Sequence, residues 1–294
     1  MRILIAGARG EVGLSVSEAL TNEGHVVTPV SSRSSYQKPP ALSLSQASDL
    51  IHHGEVDLLV IASSRGDHRG VAVSGTNTCE ALTPAVSATG LPSVLLSTLR
   101  VLEGHTEATS EDAPALPTSE YAQANARNEE VWLKESGPSG SVLRIANYFC
   151  VPQGVNSPQN KLLPWSLMTE AVESGSITVR SGPRTSREFV SASDVGQALL
   201  LLATEIPPSR ICATLPGHVA NMGDLVSDVK EAFSMIGRPD PLASFGIEDV
   251  IPTKVSASWL ASLGWISTLD RTEIVRGITS QLLHNYSGNT QSNV

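Results

Sequence analysis

Short apolar runs alternate with longer amphipathic stretches over the N-terminal part of the chain. Ile3 to Ala6 is a strand candidate, and from Glu11 to Asn22 the apolar residues Val12, Val16, Ala19 and Leu20 recur at helical spacing. His25 to Val30 reads as a second strand. Asp57 to Ala62 (DLLVIA) is apolar almost throughout, as a strand buried on both faces should be. Leu91 to Ser97 (LPSVLLS) is the next strand, with Val71 to Ala88 a crossover helix despite Pro84. Strands alternating with helices predict an α/β fold built on a doubly wound parallel sheet. Ligands of such sheets bind outside the carboxyl ends of the strands, which directs attention to Ala62, Ser63 and Ser64 and to Ser97 and Thr98.

Beyond residue 150 the alternation weakens. Pro152, Gly154, Pro158 and Pro164 break up 150–165, which reads as a loop. Leu162 to Ser174 is a helix candidate and Ile177 to Val179 a short strand. Asp194 is the expected N-cap of an apolar helix, Val195 to Ala203. Asp224 or Gly223 opens another, Leu225 to Ile236, which Gly237 and Pro239 end. The expected division is a large domain over residues 1–150, rejoined by the helix near 190–204, and a small C-terminal lobe over 151–286. The polar tail 287–294 is expected to be disordered.

One motif gives the first half a chemistry. Gly7, Gly10 and Gly13 follow the first strand and open a helix at Glu11 and Val12. Glycine permits a tight turn and close backbone approach, and a helix N-terminus presents N–H groups to phosphate. Strand, glycine turn and helix together predict a Rossmann-type site for a dinucleotide pyrophosphate. The second strand ends in Ser31, Ser32, Arg33 and Ser34, with no Asp or Glu for a ribose 2′-hydroxyl. Arg33 and Arg9 there suit a 2′-phosphate, so NADP(H) is favoured over NAD(H). The plainer alternatives are a strand–helix turn without a ligand and two solvated arginines.

Composition narrows the partners. The chain has 294 residues, with 20 Lys plus Arg against 29 Asp plus Glu, a net charge of −9. That excess of acid, with no basic run, argues against a nucleic-acid binder. No apolar run reaches the length of a membrane span, and Ile3 to Ala6 is too short for a signal peptide. Cys79, Cys150 and Cys212 show neither metal-ligand nor disulfide spacing and read as reduced, mostly buried thiols, so a cytoplasmic protein is expected. His52, His53, His68 and His105 lack acidic partners at metal spacing, and no metal site is expected. Glu111 and Asp112, in a proline-bounded loop, read as surface charge.

Ser97-Thr98, the prolines 114 and 117, and Ser119-Glu120-Tyr121 before a helix candidate stand in an order that resembles the extended short-chain dehydrogenase/reductases. The closest branch is that of sugar-nucleotide epimerases, dehydratases and ketoreductases. Gly75-Thr76 with Glu80-Ala81, Arg144 to Asn147, Arg187 to Val190 with Ser193 to Val195, and Leu263-Gly264-Trp265 continue the likeness over about residues 1–286. The resemblance implies that Gly7, Gly10 and Gly13 cradle the pyrophosphate and that Ser97 or Thr98 bonds the reacting oxygen. It implies Tyr121 as acid/base, Asn147 beside the nicotinamide or substrate, and Arg187 on the diphosphate of a nucleotide sugar. It also implies a small-molecule substrate held by the C-terminal lobe, and a homodimer through the Tyr-bearing helix.

The departures sharpen the expectation. The family's Tyr-x-x-x-Lys reads here Tyr121-Ala-Gln-Ala-Asn125. Asn125 can hydrogen-bond a ribose but carries no charge to lower the tyrosine pKa. An unassisted phenol titrates near ~10, so it begins protonated, as carbonyl reduction requires. Leu99 follows Thr98 without the dehydratases' Asp-Glu pair, which argues against dehydration. Ala72 stands where the family has Asn, and Cys150-Val151-Pro152 replaces its Tyr-Gly-Pro. The expected activity is NADPH-dependent reduction of a keto group on a nucleotide-activated sugar or similar small carbonyl compound. The alternatives are a nucleotide-sugar C4 epimerase and a non-catalytic NADP(H) sensor.

Overall fold

The computed structural model describes residues 1–8, 10–31, 41–62, 75–149, 162–205, 211–250 and 254–288. The first half alternates as its apolar pattern predicts. β1 (Arg2–Ala6) leads to α1 (Glu11–Asn22), β2 (Val26–Val30) to α2 (Leu44–His52), and β3 (Leu58–Ile61) to α3 (Gly75–Thr89). β4 (Ser93–Thr98) runs into a 3-10 turn, Leu99–Leu102, then β5 (Thr109–Ser110), α4 (Glu120–Glu135) and β6 (Gly140–Ile145). Next come β7 (Asn147–Phe149), α5 (Trp165–Ser174), β8 (Ser176–Val179), β9 (Ser186–Ser191), α6 (Ala192–Thr204) and β10 (Cys212–Leu215). The chain ends with β11 (His218–Asn221), α7 (Met222–Met235), β12 (Leu242–Phe245), β13 (Val255–Ser256), α8 (Ser258–Ser262) and α9 (Arg271–Gly288).

Two compact units emerge. The first comprises 1–146, 192–215 and 253–266. Its six-stranded sheet has the order β10-β6-β4-β3-β1-β2, every neighbour parallel. Strand order turns back between β1 and β3, the kind of crevice where ligands bind. β3 and β4 are buried at every residue, because helices cover both faces. Leu4, Leu59, Ile61, Leu82, Val86 and Trp132 pack on the side of α2, α3 and α4. α1 meets α6 on the other side, where Leu20 lies against Gly196. Fully buried Trp132 directs its indole N–H to the Ser141 carbonyl at 3.0 Å, so its polar atom is satisfied.

The second unit comprises 147–191, 216–252 and 267–294. Its three-stranded sheet has the order β11-β9-β7, with β9 antiparallel to β11 and parallel to β7; β8 pairs separately with β12. α5, α7 and α9 pack around Trp165, Met168, Leu225, Val229, Ile274 and Ile278. Trp165 stacks on Phe149 with ring centroids 5.2 Å apart.

Several local expectations change. α6 begins at Ala192, directly after β9, so Asp194 sits inside the first turn and fully buried rather than capping. α7 is capped by Asn221, whose side chain accepts from the Asp224 N–H at 2.8 Å while Asp224 bonds back, a reciprocal capping box. Asp224 is therefore its third residue, not its cap. α5 starts at Trp165 rather than Leu162. Residues 253–266 join the first unit rather than the C-terminal lobe. β13 pairs with β5 there, and Glu111 adds a second tie; it is not surface charge. It is 2% exposed and accepts from the Thr214 N–H (2.8 Å), the Ser258 hydroxyl (2.6 Å) and the Trp259 N–H (2.8 Å), tying β10 and α8 to one carboxylate. Burial pushes the thiol of Cys79 up to about 12 and that of Cys212 up to about 11, which makes both inert; Cys150 lies outside the described residues. Among the described residues no helix is long and apolar enough to cross a membrane.

Candidate functional site

The glycine turn is built by backbone alone. Gly7 leaves β1 with φ 90°, a left-handed conformation that favours glycine. The Gly10 N–H closes on the Gly7 carbonyl at 2.8 Å, and α1 starts behind Gly10 without a side-chain cap. The N–H groups of that first turn need an acceptor, and a pyrophosphate is one. A Cβ at Gly13 would stand 2.8 Å from the Gly7 carbonyl carbon and 3.0 Å from Ala8 Cα. Hydrogen at that position is what lets α1 seat against the end of β1. Gly13→Val should therefore cost about 1–3 kcal/mol of stability and weaken dinucleotide binding, read by thermal melting and fluorescence titration.

Neighbouring strand ends converge on this turn. The Ala62 N–H donates to the Ala6 carbonyl at 2.7 Å, so the residue after β3 lies beside the residue before Gly7. Val12 is half-buried in α1. Arg9, Ser32, Arg33 and Ser63 lie outside the described residues, as does the side chain of Glu11.

At the end of β4, Ser97 and Thr98 part company, as consecutive strand residues must. The Ser97 hydroxyl donates to the buried Glu129 carboxylate at 2.5 Å. The same carboxylate takes a forked grip from Arg144, Nη2 at 2.7 Å and Nε at 3.1 and 3.2 Å, while Arg144 Nη1 reaches the Glu111 carbonyl at 2.8 Å. Burial acts to lower the Arg144 pKa, but the hydrogen bonds and charge of Glu129 outweigh it and raise it above the usual guanidinium value. Ser97 thus belongs to an internal ion-pair network and not to the catalytic set expected for it. Thr98 has its Oγ1 turned to the Arg100 N–H at 3.3 Å, where it caps the 3-10 turn.

Tyr121 stands in the first turn of α4, half-buried. The Arg100 guanidinium lies over its ring, 5.8 Å from the centroid. Arg100 Nε also donates to Glu103 Oε2 at 2.9 Å. The other Glu103 oxygen gathers the Thr118 N–H (3.3 Å) and hydroxyl (2.8 Å) and the Ser119 N–H (2.9 Å) and hydroxyl (2.7 Å). Ser119 is the N-cap of α4. Burial works to raise the Glu103 carboxyl, but hydrogen bonds from Ser119, Thr118 and Arg100, with the Arg100 charge, hold it at about 2. Arg100 and Glu103 had no sequence expectation, yet they join Thr98 to Tyr121.

Asn125 departs from its expected role. It is 2% exposed, and its amide nitrogen donates back to the Tyr121 carbonyl at 2.9 Å. One of its two amide N–H bonds is thus used within the helix. In the second unit, Asn147 is exposed and donates to the Glu188 carbonyl at 3.0 Å, bracing β7 against β9. Arg187 is half-buried in β9, with Nη1 on the Ser186 carbonyl at 3.0 Å. Burial raises the Glu188 carboxyl, which accepts the Gly217 N–H at 2.7 Å. Among the described residues no cluster of His, Cys, Asp and Glu is placed to hold a metal ion.

A family model described as RmlD substrate binding domain matches residues 1–160, more than half the chain. No curated protein matches the sequence. Among solved structures, TunA, an NAD-dependent NDP-hexosamine 5,6-dehydratase of tunicamycin biosynthesis, is 20% identical with a TM-score of 0.73, over 96% of this chain and 98% of that one. The UDP-glucuronic acid 4-epimerase of Bacillus cereus, in complex with UDP-glucuronic acid and NAD, is 15% identical with a TM-score of 0.74, over 97% and 100%. L-threonine dehydrogenase from Phytophthora infestans is 13% identical with a TM-score of 0.76, over 97% and 100%. At these identities the likeness shows the fold, which is shared by sugar-nucleotide and amino-acid enzymes alike.

Proposed function

The chain belongs to the RmlD substrate binding domain family, within the extended short-chain dehydrogenase/reductases, and from that premise we propose that it reduces a keto group on a nucleotide-activated sugar with a nicotinamide dinucleotide. The observation that carries this reading is the joining of Thr98 and Tyr121 through Arg100, whose N–H holds one and whose guanidinium covers the other. The glycine turn fits the cofactor, because α1 has no side-chain cap and a Cβ at Gly13 would run into the Gly7 carbonyl group. Bound dinucleotide supplies the hydride. Thr98 orients the substrate carbonyl, and Tyr121 donates the proton to its oxygen. In the second unit, Arg187 is our candidate for the diphosphate and Asn147 for the nicotinamide or substrate. Asn125 lies on the same helix face as Tyr121, and with one N–H on the Tyr121 carbonyl it keeps a second N–H and its Oδ1 for a ribose.

Position 125 is neutral, and reduction, in which the phenol begins protonated, is the direction that depends least on a strongly lowered tyrosine pKa. A C4 epimerase must run both ways, and the fold's likeness to the Bacillus cereus 4-epimerase keeps that reading second. Purified protein, NADPH and a panel of nucleotide-linked keto sugars test the proposal by loss of nicotinamide absorbance. Tightly held oxidised cofactor carried through purification favours the epimerase. Tight NADPH binding without turnover assigns a sensing role instead.

The preference for NADP(H) rests on Arg9 and Arg33 and on the absence of an acidic residue after β2. Arg33→Ala should weaken NADPH at least tenfold, about 1.4 kcal/mol or more, and leave NADH nearly unchanged. Equal losses, measured by titration, remove the preference. Dimerisation through α4 would use an outward face of Gln123, Arg127, Glu130 and Lys134, closed by charge pairs rather than apolar packing.

A further inference from the structure

We propose that Arg100 is a positioning residue that supplies, from the turn after β4, the positive charge beside Tyr121 that position 125 lacks. The inference rests on the reading of Tyr121 as proton donor and adds what tunes it. At 5.8 Å from the ring centroid, the guanidinium lies within the range of a cation–π contact. A cation there favours the phenolate over the phenol, which brings proton transfer nearer to neutral pH.

The guanidinium is held by an ion pair with Glu103. Its Nε is fixed by Glu103 Oε2, and Glu103 is fixed by Thr118 and Ser119, three and two residues before Tyr121 on the chain. Hydrogen bonds therefore run from Thr98 to the Arg100 backbone, and from the Arg100 side chain through Glu103 to Ser119 at the start of the tyrosine's helix.

Among the described residues the charges around it are few. The described elements with the most contact to α4 are α3, β4, β6 and the 3-10 turn. α3 contributes only Glu80, which is exposed, and β4 contributes no charge. The one charge of β6, Arg144, is consumed by Glu129. Glu120 is the neighbour on α4 itself. Glu103 is the opposing anion, and it turns one oxygen wholly to Thr118 and Ser119.

The test is an absorbance titration of the phenolate band. The chain has four tyrosines, so subtracting a Tyr121→Phe titration isolates Tyr121. Arg100 is 56% exposed in its side chain, so Arg100→Met should fold. It should raise the apparent Tyr121 pKa by about half a unit and move the alkaline limb of the rate profile up by the same amount. Arg100→Lys should return both toward the parent values. An unchanged pKa in Arg100→Met overturns the proposal. So does a rise in Arg100→Lys equal to that in Arg100→Met, which would assign the effect to lost stacking. The titration needs no turnover, so a pKa that moves in a protein without reductase activity upholds Arg100 and sinks the reductase.

Discussion

Tyr121→Phe should lower keto-sugar reduction by about 10²–10⁴-fold, the span that a positioned general acid contributes. The ring stays, so the Arg100 contact and the start of α4 are kept, and the melting temperature should hold. Dinucleotide affinity should also hold, because the glycine turn and α1 do not involve the phenol. Steady-state kinetics with a saturating keto sugar measure it, and the loss should fall on kcat rather than on KM. A rate within a few-fold of the parent would remove Tyr121 from the reaction and leave Thr98 without an acid partner.

The second large effect is on stability. Glu129 and Arg144 side chains are 4% and 5% exposed, and each is the other's main partner. Glu129→Ala leaves a buried guanidinium without its carboxylate and also strands the Ser97 hydroxyl. A loss of about 3–5 kcal/mol is expected, seen as a fall in denaturation midpoint with little change of slope. Replacing both residues with Leu and Met should recover much of that loss, since the pair holds structure rather than chemistry. Full stability in the single variant would show that the network is dispensable.

The double winding was legible because each layer leaves its own signature. Strands β3 and β4 read as apolar runs, and α1 as helical spacing behind three glycines. The same burial that exposed the strands hid their faces. Fully buried strands show no alternation, so nothing in the sequence told Ser97 from Thr98, and only Glu129 decides it. A signal for Glu129 did exist: Tyr121, Asn125 and Glu129 recur at i, i+4 and i+8, one face of α4. The circuit through Glu103 had none, because it joins polar residues 15 and 16 positions apart without periodicity. Glu111 reads as surface charge in the sequence for the same reason, its partners lying more than a hundred residues away. Arg100 has no such signal either, because it reaches the Tyr121 ring from the turn after β4 and not from the tyrosine's own helix.

Net reduction with Tyr121 as proton donor leaves an isotopic mark. Incubation of the protein with NADPH deuterated at the transferable C4 position and a nucleotide-linked keto sugar, followed by mass measurement of the product, reads it. Reduction predicts an alcohol carrying one deuterium on the former carbonyl carbon, one oxidised cofactor for each product, and no such product from Tyr121→Phe. Sugar recovered unchanged in mass, with the reduced cofactor intact, would contradict it.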